Sequence, residues 1–337
     1  MTSVPSSAVA AVLRADPAAG AAAVVAPYDG KGGYPQAFAR HGWRTVAVLP
    51  ERRLRPPAYR NAPPPVGYGD TVVHRGLRQT VKALRALGVS AVVAGGAGGI
   101  ELAERIAWQL GLPGADPASS ALRYDRGAQA ARLARVGMPV LRGVRTARLA
   151  DAVAWARSYP AAGYLLAPAA AGTPVDAVEC ADERRIGAAW PALWQAAAQH
   201  SGSPHLVLTE LPGRRRYTVD TVTRPGPDGR PEHVVTGLRA DVTAGPRPPS
   251  GPPAAALARY TARVLDALGV VCGPATMQLA YGDDGTVGDG PRLVCALAAP
   301  VMTPADEAPR TPAGRHRPAC VPAPRTAPDS PCLYGRS

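Results

Sequence analysis

The chain opens with small residues (1–20), and its first clear signal is the apolar run Ala22 to Ala26, which reads as a short buried strand. A Gly-rich turn, Asp29-Gly-Lys-Gly-Gly33, follows. Then come a helical stretch carrying Phe38, a turn at His41-Gly42 and a second strand, Thr45 to Leu49. Beyond a proline-rich loop (Pro56 to Pro65) lie an amphipathic helix, Leu77 to Leu87, a strand, Ala91 to Ala94, a glycine cluster, Gly95 to Gly99, and a helix, Glu101 to Leu110. Strands alternating with helices predict a parallel sheet covered on both faces, so 21–113 reads as a Rossmann-like domain.

From Arg123 the order changes. Helices at about 127–136 and 149–158 flank a Gly137-Met-Pro loop, Tyr164 to Leu166 is a strand, and a long helix runs from Glu183 to Gln199. His205 to Leu208, Tyr217 to Val222 and Val234 to Asp241 read as antiparallel strands; after a helix over Ala254 to Leu268, two more strands follow at Thr276 to Tyr281 and Arg292 to Ala296. This segregation predicts α+β architecture after the α/β domain. The segment 300–337 has nine prolines and no apolar period, and is expected to be a disordered tail.

Composition narrows the function classes. No window supplies the ~18 consecutive apolar residues of a membrane span, and the N-terminus lacks the basic cluster of an export signal, so the expectation is a cytoplasmic protein. The net charge is +13, which raises nucleic acid as a partner, but the arginines are scattered and the one run, Arg214 to Arg216, lies between two strands. Of 38 basic residues only Lys31 and Lys82 are lysine, a skew that a GC-rich coding sequence produces. Specific nucleic-acid binding is therefore not expected. Five scattered cysteines, with no C-x-x-C pair, read as free thiols.

Local motifs give little chemistry by themselves. Gly30 to Gly33 and Gly95 to Gly99 each join a strand to a helix, and read either as anion cradles or as steric turns; neither is a Walker A loop or a dinucleotide fingerprint. His200 and His205 lack a third ligand for zinc. Asp176, Glu179, Asp182 and Glu183 read as a turn and helix start, where carboxylates favour the dipole.

The order of segments carries more. Val24-Val-Ala-Pro-Tyr-Asp, Gly42-Trp-Arg-Thr-Val-Ala-Val and Val93-Ala-Gly-Gly-Ala-Gly-Gly-Ile-Glu-Leu-Ala103 resemble the domain that precedes an ATP-grasp module. Arg123-Tyr-Asp-Arg126, Gly137-Met-Pro, Leu165-Leu-Ala-Pro168, Leu208-Thr-Glu-Leu-Pro-Gly213, Arg216-Tyr-Thr-Val-Asp220 and Gly273-Pro-Ala follow in that family's order. The resemblance covers about 22–297. It implies an ATP-grasp fold with a Rossmann-like domain over 21–113, one subdomain over 114–208 and another over 209–299.

It also implies a carboxylate–amine ligase, in which ATP and Mg²⁺ convert a carboxylate to an acyl phosphate that an amine displaces. The family's first phosphate lysine falls at Arg126 and its second at Ala167. The adenine hinge falls at Thr209, Glu210, Leu211 and Pro212, and the ribose-binding glutamate at Arg216. The metal ligands fall at Gln278, Cys295 and Leu297, the arginine that follows them falls at Ala299, and the catalytic candidate is Arg239. The resemblance thus leads to a scaffold that has lost ligase catalysis, needing no cofactor and serving as a binding or partner protein. The alternative is an active, divergent ligase with a small carboxylate and an amine as substrates. That form would use Arg126, Arg239 and Arg214 to Arg216 on the phosphates of ATP, and Asp220 or Asp283/Asp284 on Mg²⁺. The family pattern stops after about Val294, and the remaining segment is expected to be either a truncation or an out-of-frame reading of a GC-rich gene.

Overall fold

A computed structural model of the chain describes residues 20–28, 33–112, 114–171, 173, 177–211, 215–226, 228–241, 252–281, 290–298 and 332–334. Its first sheet is parallel, with strand order β3-β2-β1-β4: β1 (Ala21–Val25), β2 (Arg44–Pro50), β3 (Asp70–His74) and β4 (Val89–Ala94). All of β1 is buried, because its alternate side chains enter two cores. Ala21, Ala23 and Val25 pack with Leu84 of α2 (Leu77–Ala86) and with Ile100, Ala103 and Ile106 of α3 (Ile100–Leu110). Ala22 and Val24 pack on the other side with Trp43 and with Tyr34 and Phe38 of α1 (Tyr34–Ala39). β3, which the sequence pattern does not reveal, is a half-exposed edge strand in which exposed and half-buried residues alternate.

The next sheet has the order β13-β5-β8-β6-β7 and is antiparallel: β5 (Gly143–Thr146), β6 (Tyr164–Pro168), β7 (Val178–Cys180) and β8 (Leu206–Glu210). One face carries Val144, Leu166 and Leu208 against α5 (Leu149–Ser158) and α6 (Glu183–Ser201). The segment 300–337, expected to be disordered throughout, contributes the fifth strand, β13 (Cys332–Tyr334), which pairs with β5 and satisfies backbone groups that would otherwise form an open edge.

The third sheet, β10-β9-β11-β12, is also antiparallel: β9 (Arg215–Pro225), β10 (Pro231–Asp241), β11 (Gly273–Tyr281) and β12 (Pro291–Leu297). Tyr217, Val219, Met277 and Leu279 pack on α7 (Pro252–Ala267) together with Leu133 of α4 (Arg126–Arg135). Arg123, 2 % exposed, ties the parts together: its guanidinium meets Glu104 of α3 at 3.2 Å and also donates to the Leu268 carbonyl after α7. Burial pushes the Glu104 carboxyl above its ordinary range against the pull of that arginine. No helix among the described residues is long and apolar enough to cross a membrane.

Candidate functional site

Both antiparallel sheets turn their non-helical faces toward one cleft. The alternation that sends Leu166 and Leu208 into the helical core sends Leu165, Ala167, Val207 and Thr209 the other way. Opposite them stand Arg216 of β9 and Gln278 of β11, with Arg126, at the start of α4, closing one end. The sequence positions Arg126, Ala167, Thr209, Arg216 and Gln278, read from segments far apart in the chain, therefore line a single cavity. Leu141, Leu165, Val207 and Leu293 give it apolar walls, and the space left for water is ≈ 40 Å³. Sites for drug-sized ligands usually offer ~300–1,000 Å³, so this cavity as it stands takes a few waters or a small ion.

Each candidate side chain has a definite position. Asp125 caps α4 by accepting from the Ala128 N–H at 2.9 Å, and its carboxylate is held by Arg145 Nε at 3.0 Å. Arg126 therefore begins the helix, and its Nη1 donates to the Pro168 carbonyl at 2.6 Å, which leaves the rest of the guanidinium fork for another acceptor. Ala167 is buried and brings no charge. Thr209 Oγ1 is buried without a hydrogen-bond partner. Glu210 turns its carboxylate to Arg142, accepting from its backbone N–H at 3.0 Å and its Nε at 2.9 Å. The backbone N–H groups of Glu210 and Leu211 donate to the carbonyls of Arg142 (2.9 Å) and Gly163 (2.8 Å). These two hinge donors are consequently not available to an adenine ring. Pro212, Gly213, Arg214, Asp283 and Asp284 lie outside the described residues.

The facing sheet continues the pattern. Arg216 is ion-paired with Glu179 of β7, a contact that crosses the cleft from one sheet to the other. Asp220, 6 % exposed, is held by Arg239 at 2.8 Å and by Thr276 Oγ1 at 2.9 Å. The bulge at Gly237 makes room for it, since a Cβ there would lie 3.1 Å from Asp220 Oδ2. Asp220 and Arg239 lie on the same face of the sheet, outside the cavity lining. Gln278 pairs with Cys295 across β11 and β12, and the Cys295 thiol donates to Gln278 Oε1 at 3.5 Å. Leu297 is buried against the N-terminal core.

These groups do not fit Mg²⁺. The ion wants hard oxygen donors in near-octahedral geometry, usually including carboxylates, whereas the positions in question offer an amide already bonded to a thiol, the thiol itself, and a leucine. Among the described residues no three His, Cys, Asp or Glu side chains cluster as metal ligands. His200 and His205 accordingly serve locally, with their Nδ1 atoms near the Ala196 carbonyl (3.0 Å) and Ser203 Oγ (2.9 Å).

The comparisons with known proteins point to the same architecture. No family model and no curated protein sequence matches the chain. Solved structures do. The L-amino acid ligase of Bacillus licheniformis superposes with a TM-score of 0.61 at 13% identity, over 83% of this chain and 67% of that one. The biotin carboxylase domain of 2-oxoglutarate carboxylase from Hydrogenobacter thermophilus, solved with MgADP, ADP and bicarbonate, gives 0.57 at 14% identity, over 83% and 64%. The D-alanine–D-alanine ligase of Bacillus anthracis, complexed with ATP, gives 0.54 at 11%, over 85% and 87%. The chain has the ATP-grasp fold. Among the described residues that line its cleft, Arg126 and Arg216 are the charged ones.

Sequence reasoning missed the partners. Arg142 and Arg145 neutralise Glu210 and Asp125, and no motif marks them; Glu179, read as part of a turn and helix start, lies instead in strand β7 and neutralises Arg216. Thr223, His233 and Asp266 also form a hydrogen-bonded row (2.8 and 3.1 Å), an order familiar from nucleophilic enzymes. Thr223 is fully buried, so no substrate reaches its hydroxyl and the row is structural.

Proposed function

We propose that the chain is an ATP-grasp scaffold, divided at 21–113, 114–208 and 209–299, that binds an anionic small molecule in the cleft without carrying out Mg²⁺-dependent ligation. One observation carries this reading: among the described residues, the carboxylates around the cleft are each spent on an arginine, Glu179 on Arg216, Glu210 on Arg142, Asp220 on Arg239 and Asp125 on Arg145. A carboxylate already neutralised by a guanidinium is a poor ligand for a hard dication, and Gln278 and Cys295 do not replace it. Phosphoryl transfer in such clefts depends on metal ions and cations that meet charge developing in the transition state; losing one such donor costs about 3 kcal/mol, and losses within one constellation do not add simply. What this chain retains is electropositive character at Arg126 and a partly apolar wall, which suits binding an anion.

Calorimetric titration of the full chain with ATP, in chelator and then in excess Mg²⁺, tests this. The expected Kd is unchanged or weaker with the metal, because no described residue of the cleft is free to engage it. A Kd that tightens tenfold or more with Mg²⁺ would reveal a metal site and defeat the proposal.

A further inference from the structure

The cavity between the two sheets contains three features that belong together. Arg126 commits one guanidinium nitrogen to the Pro168 carbonyl and keeps further donors. Thr209 Oγ1 is buried without a partner in the same lining, an arrangement that proteins avoid unless something else satisfies the group. Arg216 also lines the cavity, but its partner is Glu179, which reaches over from the opposite sheet. The Glu179 carboxylate is more than half exposed at 59%, so the pair is of the weak, solvent-screened kind.

From this arrangement we infer that the cavity is a metal-free site for a phosphate-type dianion, and that Glu179 is an internal competitor that occupies Arg216 until the ligand arrives. The inference rests on reading the cleft as the ligand site, and goes further by naming the ligand's charge and the residue that gates it. Size agrees, because ≈ 40 Å³ suits a small oxyanion better than a nucleotide. Charge agrees as well. With Glu179 on Arg216, the cavity's two guanidiniums face one carboxylate's charge; once it is displaced they match a dianion, with forked N–H groups suited to phosphate oxygens. Glu210 and Asp220 do not oppose an incoming anion, because Arg142 and Arg239 neutralise them. Thr209 then supplies a hydroxyl donor that has no other use.

The test is titration of the full chain with inorganic phosphate in chelator-containing buffer, followed by calorimetry and melting temperature, for wild type and for Glu179→Gln, Arg126→Gln and Thr209→Val. Removing the competitor should tighten phosphate binding about two- to fivefold, the value of one exposed ion pair. A gain of affinity is something misfolding does not imitate. Arg126→Gln should weaken binding at least about tenfold, as loss of a charged hydrogen bond does, and Thr209→Val should weaken it less. Phosphate affinity that is the same in wild type, Glu179→Gln and Arg126→Gln would overturn the site, as would binding seen only with Mg²⁺. If ATP binds in chelator and phosphate binds to none of the forms, this inference fails and the scaffold reading stands. If neither ligand binds any form, both fail.

Discussion

Thr209 shows most plainly what changed in this cleft. The resemblance puts an acidic hinge residue at its position, and here a hydroxyl sits buried with no partner, while the carboxylate one residue on turns away to Arg142. An unsatisfied buried hydroxyl costs about 1–3 kcal/mol, and valine has nearly the same shape. Thr209→Val is therefore expected to raise unfolding free energy by about 1 kcal/mol in phosphate-free buffer, read by urea denaturation. A loss of similar size would mean that the hydroxyl has a partner. At this scale the grouping was legible: Arg126, Thr209, Arg216 and Gln278, singled out from their order along the chain, share one lining. Their charge partners were not legible, because Glu179 and Arg142 meet them through strand pairing and sheet-to-sheet contact that no local pattern encodes.

Elements were legible in proportion to their length and burial. The apolar runs of β1, β2 and β4 and the long helix α6 all appear where the periodicity places them. β3, β5 and β7 were missed. Each has three to five residues, and Asp-Thr-Val-Val-His, Gly-Val-Arg-Thr and Val-Glu-Cys are too short and too polar to show a period without their sheets. The glycine cluster after β4 read equally as an anion cradle or a steric turn, and packing explains two of its glycines. A Cβ on Gly99 would stand 2.3 Å from the Val25 carbonyl oxygen, and one on Gly95 2.8 Å from the Val24 side chain. Gly99→Ala is expected to destabilise the protein by about 2–3 kcal/mol through this overpacking, with a melting temperature several degrees lower. A neutral substitution would show that the turn has room, and would make the cluster a candidate ligand cradle again.

Across the whole molecule, the skew toward arginine has a structural counterpart. No lysine occurs after Lys82, and the described ion pairs in and around the cleft are arginine to carboxylate, joining Arg142, just before β5, to β8, and linking β7 to β9 and β9 to β10. Such pairs persist at high pH because arginine stays charged, so alkaline sensitivity must come from elsewhere. Tyr260 of α7 is one source. Its hydroxyl donates to the Pro139 carbonyl at 2.8 Å and accepts from the Leu293 N–H at 3.1 Å, and burial pushes its pKa up to about 12 from an ordinary 10.0. A raised pKa means that its stabilisation is complete below pH 10 and is lost as pH rises toward 12. That loss should be about 2–3 kcal/mol in unfolding free energy, and Tyr260→Phe should flatten the decline across that interval.

An ATP-grasp scaffold with this cleft should not turn over Mg·ATP, and the decisive reading is ADP formation by the purified full chain, incubated with Mg·ATP and a pool of amino acids. No ADP above that of a protein-free control is expected, with or without the amino acids. Substrate-dependent ADP release that disappears in Arg126→Ala would refute this, and would show that the chain is an active ligase that uses Arg126 in this cleft.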